Sequence, residues 1–84
     1  MHLDSINHRE MLSIYGLGRT YLDLLNRVGV FSVDQLRLCE AAELQEQIGT
    51  AVETFKIGRV PSRANVEDWI EQASTIYFFK RHHG

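Results

Sequence analysis

The residues best suited to chemistry in this chain are Gly16, Gly18, Arg19 and Thr20, within the run GLGRTY. Glycine has no Cβ, so it adopts positive φ and lets a ligand approach the backbone closely. If a helix begins there, the N–H groups of Gly18, Arg19 and Thr20 have no intrahelical acceptor. They point outward together with the positive end of the helix dipole. A phosphate suits such a place, and Arg19 and Thr20 add a charge and a hydroxyl. The alternative is that the two glycines only close a tight turn. The residues themselves leave both open.

A second group is basic. Lys56, Arg59 and Arg63 fall close together, and no Asp or Glu stands between Thr54 and Val66. They form either a second phosphate-contacting surface or a solvated loop. Lys80, Arg81, His82 and His83 make a further basic patch, read as a frayed terminus. Against these stands a formal net charge of −2, so the molecule as a whole is not steered toward a polyanion. The first thirty residues are formally neutral, with Arg9, Arg19 and Arg27 set against Asp4, Glu10 and Asp23.

Catalytic and metal chemistry find little support. Glu40, Glu43 and Glu46 share a helical face that reads as solvated. His2, His8, His82 and His83 sit at the two ends, with no Cys/His spacing for zinc. GLGRTY is neither a Walker loop nor a dinucleotide fingerprint. The expectation is a non-enzymatic chain with no cofactor and no metal. Cys39, the one cysteine, reads as a buried or half-buried inert thiol and fits a reducing, cytoplasmic compartment. The polar start MHLDSINHRE is no secretory signal, and no apolar run approaches the roughly 20 residues of a membrane span.

The elements that must position these groups are helical; no stretch alternates long enough for a strand. The pattern predicts a first helix over about Asn7 to Ile14, capped by Ser5 or Asn7. A second covers about Arg19 to Val28, with Tyr21, Leu22, Leu24, Leu25 and Val28 on a broad apolar face. Gly29 suits its left-handed C-terminal position. Ser32 and Gln35 form a capping-box pattern, with Phe31 able to staple onto Leu36, for a third helix over about Val33 to Leu38. A fourth covers Glu40 to Ile48; Gly49 and Thr50 weaken it, and residues to Phe55 continue it irregularly. Pro61 turns Val60 away from helix, and Ser62 caps the last helix. There Val66, Trp69, Ile70, Ala73 and Tyr77 form one stripe, with Trp69 in the core. The run Ile76-Tyr77-Phe78-Phe79 cannot all face one core from a helix. Either the terminus folds back over the core, or Tyr77, Phe78 and Phe79 contact another chain, which is the favoured reading.

Helix, Gly-Leu-Gly turn and helix together resemble a helix-hairpin-helix motif, carried by Ile14, Gly16, Leu17, Gly18, Arg19, Tyr21, Leu25 and Val28. A closer resemblance is to a bacterial family of uncharacterised helix-hairpin-helix domains, a domain of unknown function. It is carried by GLGRTYLDLLNRVGVFSVDQL and RVPSRANVEDWIEQAS and covers about residues 9 to 76. The helical pattern predicts an all-α, compact five-helix bundle, and the resemblance implies one helix-hairpin-helix motif within it in a SAM-like arrangement. One domain would span residues 1–84, with its core at about 6–77. Leu22 stands where the family usually has a small residue, which implies wider helix packing or a shifted register.

Two functions follow as expectations. One is weak, sequence-independent nucleic-acid binding through Gly16, Gly18, Arg19, Thr20, Lys56, Arg59 and Arg63. In helix-hairpin-helix proteins the guest is a backbone phosphate. The other is a protein-interaction or self-assembly module, a homo-oligomer included, using Tyr77, Phe78 and Phe79.

Overall fold

The computed structural model describes the backbone of residues 2–83 and the side chains of residues 7–81. Among these the chain is all-helical, with five helices: α1 (His2–Leu12), α2 (Gly18–Arg27), α3 (Val33–Leu36), α4 (Ala41–Phe55) and α5 (Arg63–His83). No described helix is long and apolar enough to cross a membrane.

Local chemistry sets most of the boundaries. α1 begins earlier than the sequence pattern predicts, so Ser5 and Asn7 lie inside it and do not cap it. It also ends sooner, because the chain tightens at Ser13, whose hydroxyl bonds the Glu10 carbonyl at 2.6 Å. α2 closes in a Schellman arrangement. Gly29 has φ +91°, Val30 N–H reaches Leu25 O at 2.9 Å, and Gly29 N–H reaches Asn26 O at 3.1 Å. Ser32 Oγ accepts from Gln35 N–H at 3.3 Å, while the Gln35 side chain takes Phe31 N–H at 2.7 Å. The capping box is thus closed one residue earlier than the usual pattern. α3 stops at Leu36, two residues short of the expected end, and Leu38 is exposed.

α4 differs most from expectation. It runs unbroken through Gly49 and Thr50 to Phe55. The Thr50 hydroxyl bonds Glu46 O at 3.2 Å, and the bare Gly49 backbone faces the Val60 side chain. Tertiary packing there outweighs the helix penalty of one glycine, about 1 kcal/mol. Glu40 does not join the helix; its carboxylate caps it by accepting Glu43 N–H at 2.9 Å. Ser62 caps α5 through Asn65 N–H at 3.1 Å.

α5 packs on α3 and α4, and α1 packs on α2 and α3. Trp69 lies in the core with Met11, Leu17, Leu25, Leu36 and Ile48, and Tyr21 tilts over it at a centroid distance of 4.9 Å. Each such large apolar side chain contributes roughly 1.5–3 kcal/mol by leaving water. Leu22 is also fully buried, so its extra bulk is taken into the core. On the last-helix stripe Val66, Trp69 and Ala73 are buried, while Ile70 and Tyr77 are half-buried.

The end of α5 is helical and tied to its neighbours. The helix continues through His83, and Lys80 Nζ lies 3.0 Å from Glu10 of α1 and 3.2 Å from Asp34 of α3. Burial pulls the Lys80 pKa down, but its hydrogen bonds to Glu10 and Asp34 outweigh that and hold it above the usual lysine value. The side chains of His82 and His83 lie outside the described residues.

Candidate functional site

Both glycines of the α1–α2 turn are left-handed, Gly16 at φ +85° and Gly18 at φ +72°. Side-chain-bearing residues rarely adopt that conformation. Space is not the reason for glycine here. A Cβ on Gly16 would meet Trp69 Nε1 at an ordinary 3.9 Å, and one on Gly18 would meet nothing within 4 Å. Between them Leu17 is buried and anchors the turn in the core.

The turn is also held from α5. Tyr15 N–H donates to Gln72 Oε1 at 2.8 Å, and Gln72 Nε2 donates back to Tyr15 O at 3.0 Å. The same Nε2 donates to Asp68 Oδ2 at 2.8 Å, which orients the amide. Tyr15 itself is 85% exposed. Nothing in the local sequence pairs residues this far apart, and sequence reasoning missed Gln72.

The start of α2 is open. Leu17 occupies the N-cap position and offers no side-chain cap, and the first turn holds no acid. No turn or side-chain hydrogen bond among the described residues takes up the N–H of Gly18, Arg19 or Thr20. All three residues are exposed.

The basic loop comes up against this helix start. A Cβ on Gly58 would lie 2.8 Å from Thr20 Cγ2 and 3.6 Å from Leu24 Cδ1, so the loop backbone rests directly on α2. Lys56 and Arg59 flank that contact, and both are exposed. Lys56 ends α4 with φ 58°, the sole positive φ outside glycine among the described residues. Gln45 steadies the far end of the loop by donating to Pro61 O at 2.9 Å. Arg63 is placed differently. It opens α5, next to Ala64, which lines a groove with Glu40, Glu67, Asp68 and Glu71.

The aromatic end of α5 stands apart from the turn. The Arg37 guanidinium lies over the Tyr77 ring at 3.7 Å, and that of Arg81 lies 5.4 Å from it. Phe78 meets Tyr77 edge-on at 5.6 Å. Phe78 is 55% exposed and Phe79 66%.

Cys39 is half-buried; burial, then the nearby Glu43 charge, push its thiol pKa up. That disfavours the nucleophilic thiolate. No group of three metal-binding side chains occurs among the described residues.

A family described as a domain of unknown function, DUF4332, matches residues 3–76. The chain belongs to the DUF4332 family. No curated protein matches it, and no solved structure does. The matched span of the DUF4332 domain takes in Gly16 to Thr20, the Lys56–Arg63 loop and Gln72. Tyr77, Phe78 and Phe79 fall just beyond it.

Proposed function

We propose that this DUF4332 domain is a non-enzymatic binding module of helix-hairpin-helix type. In this reading α1 and α2 are the hairpin helices, and Gly16-Leu17-Gly18 is the hairpin. The module grips the phosphate backbone of nucleic acid without sequence preference. Gly18, Arg19 and Thr20 N–H groups and the Arg19 side chain supply one half of the grip. Lys56 and Arg59 supply the other, with Arg63 at its edge. The setting is the bacterial cytoplasm, which the family resemblance and the half-buried Cys39 favour.

The observation that carries the reading is the seating of Gly58 on Thr20. It brings the loop that bears two exposed cations, Lys56 and Arg59, onto α2 at Thr20. A single helix terminus grips one phosphate weakly; added cations raise affinity through counterion release. The left-handed Lys56 supports the same reading. Such a conformation costs a side-chain-bearing residue about 1 kcal/mol or more, and glycine would fit more easily.

Titration of labelled duplex and single-stranded DNA at low and at physiological salt tests the proposal. Expected is weak binding at low salt that falls steeply as salt rises; no binding at low salt removes it.

A second reading is a protein-interaction module working through Tyr77, Phe78 and Phe79. It is supported by the exposure of Phe78 and Phe79 on a helix end that Arg37 and Lys80 hold in place. Sedimentation tests it: a strict monomer at high micromolar concentration, unchanged by Phe78→Ser and Phe79→Ser, counts against it.

A further inference from the structure

Between α4 and α5 lies an open groove of about 680 Å³. It is lined by the acids Glu40, Glu67, Asp68 and Glu71 together with apolar residues that include Ala41 and Ile70. No Lys or Arg lines it. The four acids have no cationic partner among the described residues, whereas Asp23, Glu10 and Asp34 each do.

The Lys56–Arg63 loop has the opposite character. It bears Lys56, Arg59 and Arg63, and none of these pairs with an acid among the described residues. Between the cations Val60 is 51% exposed. A loop that carries cations around an apolar side chain is complementary to a groove whose lining combines acids with apolar residues. The two surfaces also meet: Arg63 closes the loop, and the next residue, Ala64, already lines the groove.

We propose that the groove receives the Lys56–Arg63 loop of a second copy of this chain, and that the exchange is mutual. Because loop and groove adjoin at the start of α5, a two-fold axis there seats both loops at once and gives a closed dimer, not a filament. The interface is held by charge, so it is weak and salt-dependent. It does not rest on the nucleic-acid reading. Since both use Lys56 and Arg59, nucleic acid and a second copy compete for the loop.

Sedimentation without nucleic acid, at low and high salt, provides the test. Wild type is expected to dimerise at low salt, with association weakened about tenfold or more at high salt. The groove variant Glu67→Lys/Glu71→Lys and the loop variant Arg59→Glu/Arg63→Glu are each expected to stay monomeric. Mixed together they should recover a one-to-one dimer, since both contacts are then complementary again. That recovery also shows that the variants are folded. Three results overturn the proposal. One is a wild type that stays monomeric at low salt and high concentration, even if a peptide of residues 56–63 binds the groove. Another is a dimer that both charge variants retain. The third is a pair of monomeric variants whose mixture fails to associate.

Discussion

The backbone of Gly58 is seated on the side chain of Thr20, so close that a Cβ at residue 58 would fall 2.8 Å from the threonine methyl. This contact joins α2 to the loop between α4 and α5. It holds the backbone of the basic loop against the flank of α2 at Thr20 and Leu24.

Gly58→Ala is therefore expected to destabilise the domain by about 1–3 kcal/mol, from positive φ and from the clash. Adding Thr20→Ser removes the methyl group and should return the clash part only. Denaturant unfolding of the two single variants and the double variant separates the two parts.

Lys56→Gly is expected to act oppositely on stability and binding. Relief of the left-handed lysine should add about 0.5–1 kcal/mol, a rise of several degrees in Tm for a domain of this size. Loss of the cation should weaken DNA binding and lower the salt slope by about one. Thermal unfolding and DNA titration on the same sample check both.

Gln72→Ala removes two hydrogen bonds to the Tyr15 backbone. The expected loss is about 1–2 kcal/mol. Hydrogen exchange at the Tyr15 amide should accelerate more than exchange in α4, which Gln72 does not hold.

Lys80 ties α5 to α1 and α3, and its pKa is held above the ordinary lysine value. The sign follows from that direction. The pairing contributes fully below the unfolded-state value of about 10.4 and fades as pH rises through the higher folded-state value. Wild type should thus lose its advantage over Lys80→Met only in the alkaline range. At neutral pH the advantage is under about 1 kcal/mol, as befits an exposed pair. Tm profiles of the two proteins from neutral to strongly alkaline pH read this directly.

Much of the helical plan is written in short-range chemistry. Gly29, Ser32 and Ser62 punctuate the chain where their local preferences place them, and the Trp69 stripe reads at helical spacing. What escaped the sequence depends on distant partners. Gly49 sits inside a helix because Val60 packs on it. Lys80 is engaged because α1 and α3 bring acids to it. At the candidate site the glycine pair was legible, as was the cluster of Lys56, Arg59 and Arg63. The seating of Gly58 on Thr20 and the clamp of Gln72 on Tyr15 were not, since neither leaves a periodic signature. Arg63 groups with the other two cations by proximity in sequence, yet it opens α5 next to Ala64, which lines the acidic groove.

The central claim is that the start of α2 and the loop beside it form one surface for backbone phosphate. Its most direct measurement is fluorescence anisotropy of labelled DNA at low salt, comparing wild type with Arg19→Glu and Lys56→Glu. Expected is salt-sensitive binding by wild type that either charge reversal weakens about tenfold or more. Absence of wild-type binding, or binding that neither reversal alters, would contradict it.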